Sequence, residues 1–314
     1  AGGSHPNPAR YLRGQTTTIC MSTYARMAYP CWDEPTFKAT FEVTVTIPEH
    51  LTVLSNTSVA NERSLEHSMK EVSFERTPKM STYLVAVVIG KLEHLEARSK
   101  KGVPIRVHTI PGKKEQGQFA LDIACKAIDW YGEWFGIDYV LPKVDLVGVP
   151  DFQSGKHIHI CAMENWGVIT FREWALLCEH GKSSTDQMAL IAMKVAHEIA
   201  HFWFGNLVTM KWWSELWLKE SFAMFMQFYF VSLHCPEFKI WQKFARDEIT
   251  AGMEFDERKT THSIEVNIDN PNELDEIFDS ITYSKSCCVL RMLFSYLGEE
   301  KFRNGLRIYL KYVS

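Results

Sequence analysis

The segment His197-Glu198-Ile199-Ala200-His201, answered by Glu220 nineteen positions after His201, constrains this chain more than any other feature. Residues four apart share one face of a helix, so both imidazoles can reach one metal while Glu198, one position on, flanks it. A catalytic zinc takes three nitrogen or carboxylate ligands and keeps a fourth position for water. Two histidines at this spacing would otherwise read as a surface or core pair, and the third carboxylate sharpens the metal reading. Glu220 lies among Trp217, Leu218 and Phe222, where a carboxylate has to be paired or metal-bound. His197, His201 and Glu220 are therefore the candidate ligands of one zinc ion per chain. Two helices and the segment between them must fold back to bring the three together.

The surrounding residues predict those two helices. Ser184-Thr185-Asp186-Gln187 matches a capping box that starts the first. Gly205-Asn206 reads as the C-cap that ends it. Between them Met188, Ile191, Ala192, Val195 and Ile199 recur at helical spacing. The second helix is expected over about 214–233, with Pro236 beyond its end, and residues 222–231 are apolar on nearly every side, so it should be buried. Upstream, Phe41, Val43, Val45 and Ile47 alternate with polar residues as in a half-buried strand that Pro48 ends. Residues 52–55, 71–74 and 83–90 read as further strands. The charged, glycine-ended run at 97–102 marks a break. Beyond it, 103–109, 144–149 and 168–171 read as strands, 115–135 as a helix, and almost everything from Thr185 onward as helix. The expected class is α+β: an antiparallel β-domain over 1–97, then a domain of small sheet plus helices over 98–314.

Charge and composition exclude several functions. Lys and Arg number 34 against 38 Asp and Glu, a net charge of −4, which argues against a nucleic-acid partner. The longest apolar run, 222–233, is too short and is broken by Gln227, so no membrane segment is expected. Eight scattered cysteines without a CxxC pair read as thiols of a reducing compartment, hence a cytoplasmic location. Asn56-Thr57-Ser58 is the one match to a glycosylation acceptor. Both ends look cut, and nothing in the sequence specifies an oligomer.

The chemistry expected of such a site is amide hydrolysis. Zinc lowers the pKa of a bound water toward ~7 and polarises a carbonyl. Glu198, beside that water, can take its proton and pass it to the leaving amine. The tetrahedral oxyanion needs a donor besides the metal.

Four ordered motifs carry a resemblance. Cys161-Ala162-Met163-Glu164-Asn165-Trp166-Gly167 resembles the GAMENWG motif of the zinc aminopeptidase family of aminopeptidase N and puromycin-sensitive aminopeptidase. Residues 197–223 resemble that family's zinc signature, residues 29–35 its PCWDEP motif, and residues 275–285 its segment with a catalytic tyrosine. The resemblance covers about 15–314 and is strongest to the puromycin-sensitive branch. It implies a partial N-terminal β-domain and a thermolysin-like catalytic domain that is incomplete at its C-terminus. It implies peptide substrates with a free N-terminus, whose α-ammonium group Glu164 would bind. Ala162 and Met163 would lie along the peptide as an edge strand, with Asn165 beside them. Tyr283 would donate its hydroxyl to the oxyanion.

Departures from the family pattern cluster near these residues. Lys156-His157-Ile158-His159-Ile160-Cys161 looks like an insertion before Ala162. Met21 stands where the family commonly has a second ammonium-binding glutamate, Gln227 where it has an acid seven positions after the third ligand, and Ser286 where it has glycine. They motivate an alternative, a weakened or inactive relative that binds zinc and peptides. His157 and His159, alternating as in a strand, are expected to face solvent. An epoxide-opening activity, known in one branch of the family, has no specific residue to support it here.

Overall fold

The computed structural model describes residues 9–12, 15–19, 24–150, 152, 161–179 and 181–313. Met21, His157, His159 and the insertion up to residue 160 lie outside them. By contact, the chain groups into two compact units, residues 1–121 with 141–177 and residues 122–140 with 178–314.

The first unit is built of strands: β1 (Ala9–Leu12), β2 (Gln15–Ile19), β3 (Thr44–Pro48), β4 (Thr52–Ser55), β5 (Val59–Leu65), β6 (Met69–Phe74), β7 (Ala86–Gly90), β8 (Glu93–Arg98), β9 (Pro104–Thr109), β10 (Val144–Val149), β11 (Ala162–Met163) and β12 (Val168–Arg172), with one helical turn, α1 (Ala25–Ala28). Three sheets result, in the orders β1-β2-β7-β4, β3-β6-β5 and β11-β12-β10-β9-β8. The first two are antiparallel throughout. Period-two alternation places Ile47, Val72 and Phe74 in one core with Val53. In the third sheet β10 runs parallel to both β9 and β12, while β8 and β11 are antiparallel to their neighbours. Every residue of β10 is buried, as expected of a central parallel strand covered on both faces.

Residues 52–55 and 144–149 form strands as expected, end to end. The strand expected over 83–90 begins only at Ala86, because Thr82–Leu84 turns as a 3-10 helix. Asn56 explains the break: its side-chain amide donates to Leu84 O at 2.7 Å and accepts from Ala86 N at 3.1 Å. The break expected at residue 97 falls within β8, which pairs with β9 along its length.

The second unit is helical. Its part of α2 (Gln118–Phe135) runs from Asp122 and packs Tyr131 and Phe135 against Trp203. Then follow α3 (Thr185–Ala200) and α4 (Leu216–His234), with a 3-10 turn at Trp213–Glu215 leading into the latter. Ser184 caps α3 as the capping box predicts, its side chain accepting from Gln187 N at 3.1 Å. Next come α5 (Ile240–Lys243), a π-helical stretch at Phe244–Ile249, α6 (Thr250–Asp256), a second π-helical turn at Ile281–Lys285, α7 (Ser286–Leu297) and α8 (Glu299–Val313). Residues 202–212 and 257–270 are not helical, contrary to the expectation of helix almost throughout. Phe225 on α4 meets Phe294 and Phe302 on α7 and α8, with ring centroids 5.2 and 5.5 Å apart. Apolar on nearly every side, α4 is therefore the buried axis of this unit.

Candidate metal centre

The site lies where the end of α3 meets the start of α4. The first helix stops earlier than Gly205-Asn206 suggests: Ala200 is its last residue and His201 its C-cap. Tertiary contacts decide this. Trp203 donates its indole N–H to Ile137 O at 2.8 Å, and Phe204 stacks on Phe222 of α4 with centroids 4.6 Å apart. Behind the site, the buried Tyr131 hydroxyl donates to Ala196 O at 3.1 Å and fixes the last turn before His197.

Three side-chain atoms converge. His197 Nε2 and His201 Nε2 are 3.0 Å apart, and Glu220 Oε2 is 3.4 Å from the first and 3.3 Å from the second. Donors about 2.0–2.2 Å from a tetrahedral zinc sit ~3.3 Å from one another, so this triangle fits the ion. All three side chains are buried. Two further observations agree with a metal. His201 Nδ1 lies 3.0 Å from Phe204 O, a carbonyl that can only accept, so that nitrogen carries the hydrogen and Nε2 presents its lone pair. Burial pushes the His197 pKa down to about 4, which keeps the ring neutral as a ligand must be. Burial pushes the Glu220 carboxyl up, but the Lys219 ammonium and the two imidazoles outweigh it and hold the group well below its usual range.

Glu198 is buried in the same turn, with a carboxylate oxygen within 4.8 Å of a His201 ring nitrogen. Tyr283 is half-buried in the π-helical turn before α7. The remaining expected residues belong to the first unit. Ala162 and Met163 form β11, the last strand in the order of its sheet, paired with Phe171 and Thr170 of β12. Glu164 and Asn165 follow it and are 4% and 0% exposed. The Asn165 amide donates to Thr170 Oγ1 at 3.3 Å.

Two of the departures acquire surroundings. Gln227 is buried, and its Oε1 has no hydrogen-bond partner among the described residues. His197 Nδ1, where a metal-bound histidine usually donates to an acceptor, is likewise without one. Ser286 is fully buried and donates to Thr282 O and to Tyr283 O, the latter at 3.2 Å, so it binds back onto the turn of Tyr283.

Sequence reasoning gave Lys219 no role. The structure buries it with Nζ 3.2 Å from Glu220 Oε1, the oxygen not facing the histidines. Its methylenes lie 3.1 Å from where a Cβ of Gly205 would stand, so the glycine, at φ +127°, leaves the path open. No local signal marks this arrangement, because it depends on the turn after α3 meeting α4.

Comparison with known proteins places the chain. Residues 119–314 match the Peptidase family M1 domain, and residues 12–84 match the Peptidase M1 N-terminal domain. The chain is similar to a puromycin-sensitive aminopeptidase of Caenorhabditis elegans, with 58% identity over 92% of this chain and 30% of that protein. It is also similar to aminopeptidase M1 of Arabidopsis thaliana, with 45% identity over 91% of this chain and 32% of that one. For an alanine/arginine aminopeptidase of Saccharomyces cerevisiae the identity is 43%, over 94% and 33%. The chain spans about a third of the length of the curated relatives it matches. With the converging histidines and glutamate, and a family match over more than half its length, this chain belongs to peptidase family M1.

Proposed function

We propose that this chain carries the catalytic centre of a zinc aminopeptidase that removes single residues from the free N-termini of peptides. The observation that carries the reading is the triangle of His197 Nε2, His201 Nε2 and Glu220 Oε2, with edges of 3.0 to 3.4 Å. These residues would hold one zinc per chain. When bound, the ion makes a water acidic near neutral pH and polarises the substrate carbonyl. Glu198 takes the proton from the attacking water and delivers it to the departing amine. Tyr283 donates its hydroxyl to the oxyanion. Glu164 pairs with the substrate's α-ammonium group, which limits cleavage to the first peptide bond. Backbone groups of Ala162 and Met163 pair with the peptide as an added strand, beside Asn165. The family relation and the edge position of β11 support these last assignments.

A domain division at 97/98, with a thermolysin-like domain following, is part of the same proposal, supported by the separate N-terminal and peptidase matches. A cytoplasmic location is inferred from the free state of the seven described cysteines. Among the described residues no helix is long and apolar enough to cross a membrane.

The second reading is a relative that holds zinc and peptide but turns over poorly. The buried Gln227, whose Oε1 lacks a partner, favours it. Turnover of an aminoacyl-fluorophore by zinc-loaded chain, compared with Glu198→Gln, separates the two. A rate that collapses in the variant supports the enzyme, and equal rates in both support the weakened relative. Absence of bound metal at saturating zinc overturns both.

A further inference from the structure

The turn that carries Tyr283 is unusual. Residues Ile281–Lys285 form a π-helical turn, closed by Lys285 N donating to Ser280 O at 2.9 Å across five residues. Such turns are rare and recur at functional sites. Their first N–H groups have no partner within the helix, and here Asp279 takes three in succession. Its Oδ1 accepts from Ile281 N and Thr282 N, both at 3.0 Å, and its backbone oxygen accepts from Tyr283 N at 3.0 Å. The other carboxylate oxygen, Oδ2, lies 2.8 Å from His262 Nε2. His262 Nδ1 in turn lies 2.7 Å from Ser263 O. The ring is thus set between a carboxylate and a carbonyl oxygen, one at each nitrogen.

We propose that His262 and Asp279 are a positioning pair: they lock the π-helical turn and so set where the Tyr283 hydroxyl stands. The proposal rests on Tyr283 as oxyanion donor only for its catalytic consequence. Two observations favour positioning over bulk stability. The side chains of the pair are 28% and 20% exposed, and a pair so close to water contributes little to folding. The pair also lines a cavity of about 340 Å³ with Thr260, Asn267, Glu276 and Ile281. On that side the pair borders open space. Sequence separation hides the arrangement, since the two partners stand seventeen positions apart and His262 belongs to no recognised motif.

The test places 3-fluorotyrosine at position 283 of the chain and records its fluorine NMR resonance, a readout independent of turnover. The parent is expected to give one sharp line. In His262→Ala and Asp279→Ala that line shifts or splits. His262→Gln, whose amide still donates to Asp279, restores it. Spectra of the alanine variants that superimpose on the parent overturn the proposal. A thermal melt of each variant guards against loss of fold, and His262→Gln remains informative if an alanine variant melts early. A kinetic arm tests the consequence. Misplacing the hydroxyl is expected to lower kcat ~10–100-fold with little change in KM. His262→Ala combined with Tyr283→Phe should be no slower than Tyr283→Phe alone. If Tyr283→Phe itself leaves kcat unchanged while the resonance still responds to His262, the oxyanion role of Tyr283 fails and the positioning pair stands.

Discussion

Replacing Asn56 by alanine offers a sharp trial of how the first unit is held together. The side chain is 1% exposed and spends its whole amide on backbone groups. Nδ2 donates to Leu84 O at 2.7 Å and to Trp166 O at 2.8 Å, and Oδ1 accepts from Ala86 N at 3.1 Å. Truncation removes three hydrogen bonds, each worth ~1 kcal/mol net, and leaves two carbonyls and one N–H buried without that partner. The expected loss is about 3 kcal/mol, more if water cannot enter the gap. For a unit of this size each kcal/mol moves the midpoint by ~2–4 °C, so a fall of roughly 6–12 °C follows. Differential scanning calorimetry of parent and variant measures it. A fall below about 2 °C would refute the reasoning, because the three bonds would then be carrying almost nothing. The same geometry bears on Asn56-Thr57-Ser58 as a glycosylation acceptor. With both amide hydrogens engaged and the side chain enclosed, the folded chain offers no nitrogen for a sugar. A glycan on that nitrogen would break these hydrogen bonds, so chain that has reached this fold should show none at Asn56 by peptide mass mapping.

Other consequences can be measured separately. Glu220→Gln should weaken zinc binding by at least tenfold in a chelator competition, whereas Glu198→Gln should keep one zinc per chain and lose turnover. Gly167→Ala should destabilise more than Gly112→Ala: both glycines have positive φ, but a Cβ at 167 would lie 2.1 Å from Asn56 O while at 112 it meets nothing within 4 Å. Equal melting shifts for these two would contradict the close approach. Burial, with help from Asp122 and Asp129, pushes the Cys125 thiol up to about 11, and burial with Glu248 does the same for Cys288. A thiol with a raised pKa is protonated below it, so at pH 8 only ~0.1% is thiolate against roughly a quarter of an ordinary cysteine. Alkylation of both should be about a hundredfold slower than that of a free thiol and should climb as pH rises toward 11; rapid labelling at pH 8 would count against the burial.

The features legible in the residues were those whose cause is local. Ser184 caps α3 because the capping signal spans only four residues, and β10 reads correctly because its apolar run and its burial coincide. His197 and His201 converge because helical spacing alone puts them on one face, and Glu220 joins them through packing of α3 on α4. Gly205 misleads for the opposite reason. It looks like a helix terminator, yet the helix stops at Ala200 and the glycine instead makes room for Lys219. Asn56 resembles a surface acceptor until its partners appear, 28, 30 and 110 residues away. Lys143 is comparable: fully enclosed, it pairs with nearby Asp145 at 2.7 Å, but it also donates to Ser55 O and to Gly167 O, 88 and 24 residues away.

Arg307 on α8 donates to Trp134 O at 2.8 Å and to Glu133 O at 2.6 Å, carbonyls in the last turn of α2 that lie 173 and 174 residues earlier. A helix leaves its final carbonyls without partners of its own, and here a guanidinium from far downstream supplies them. During translation, the end of α2 emerges long before that guanidinium exists. A nascent chain halted ahead of residue 307 would carry this helix end frayed and open to protease, and its protection should arrive abruptly once α8 has been made.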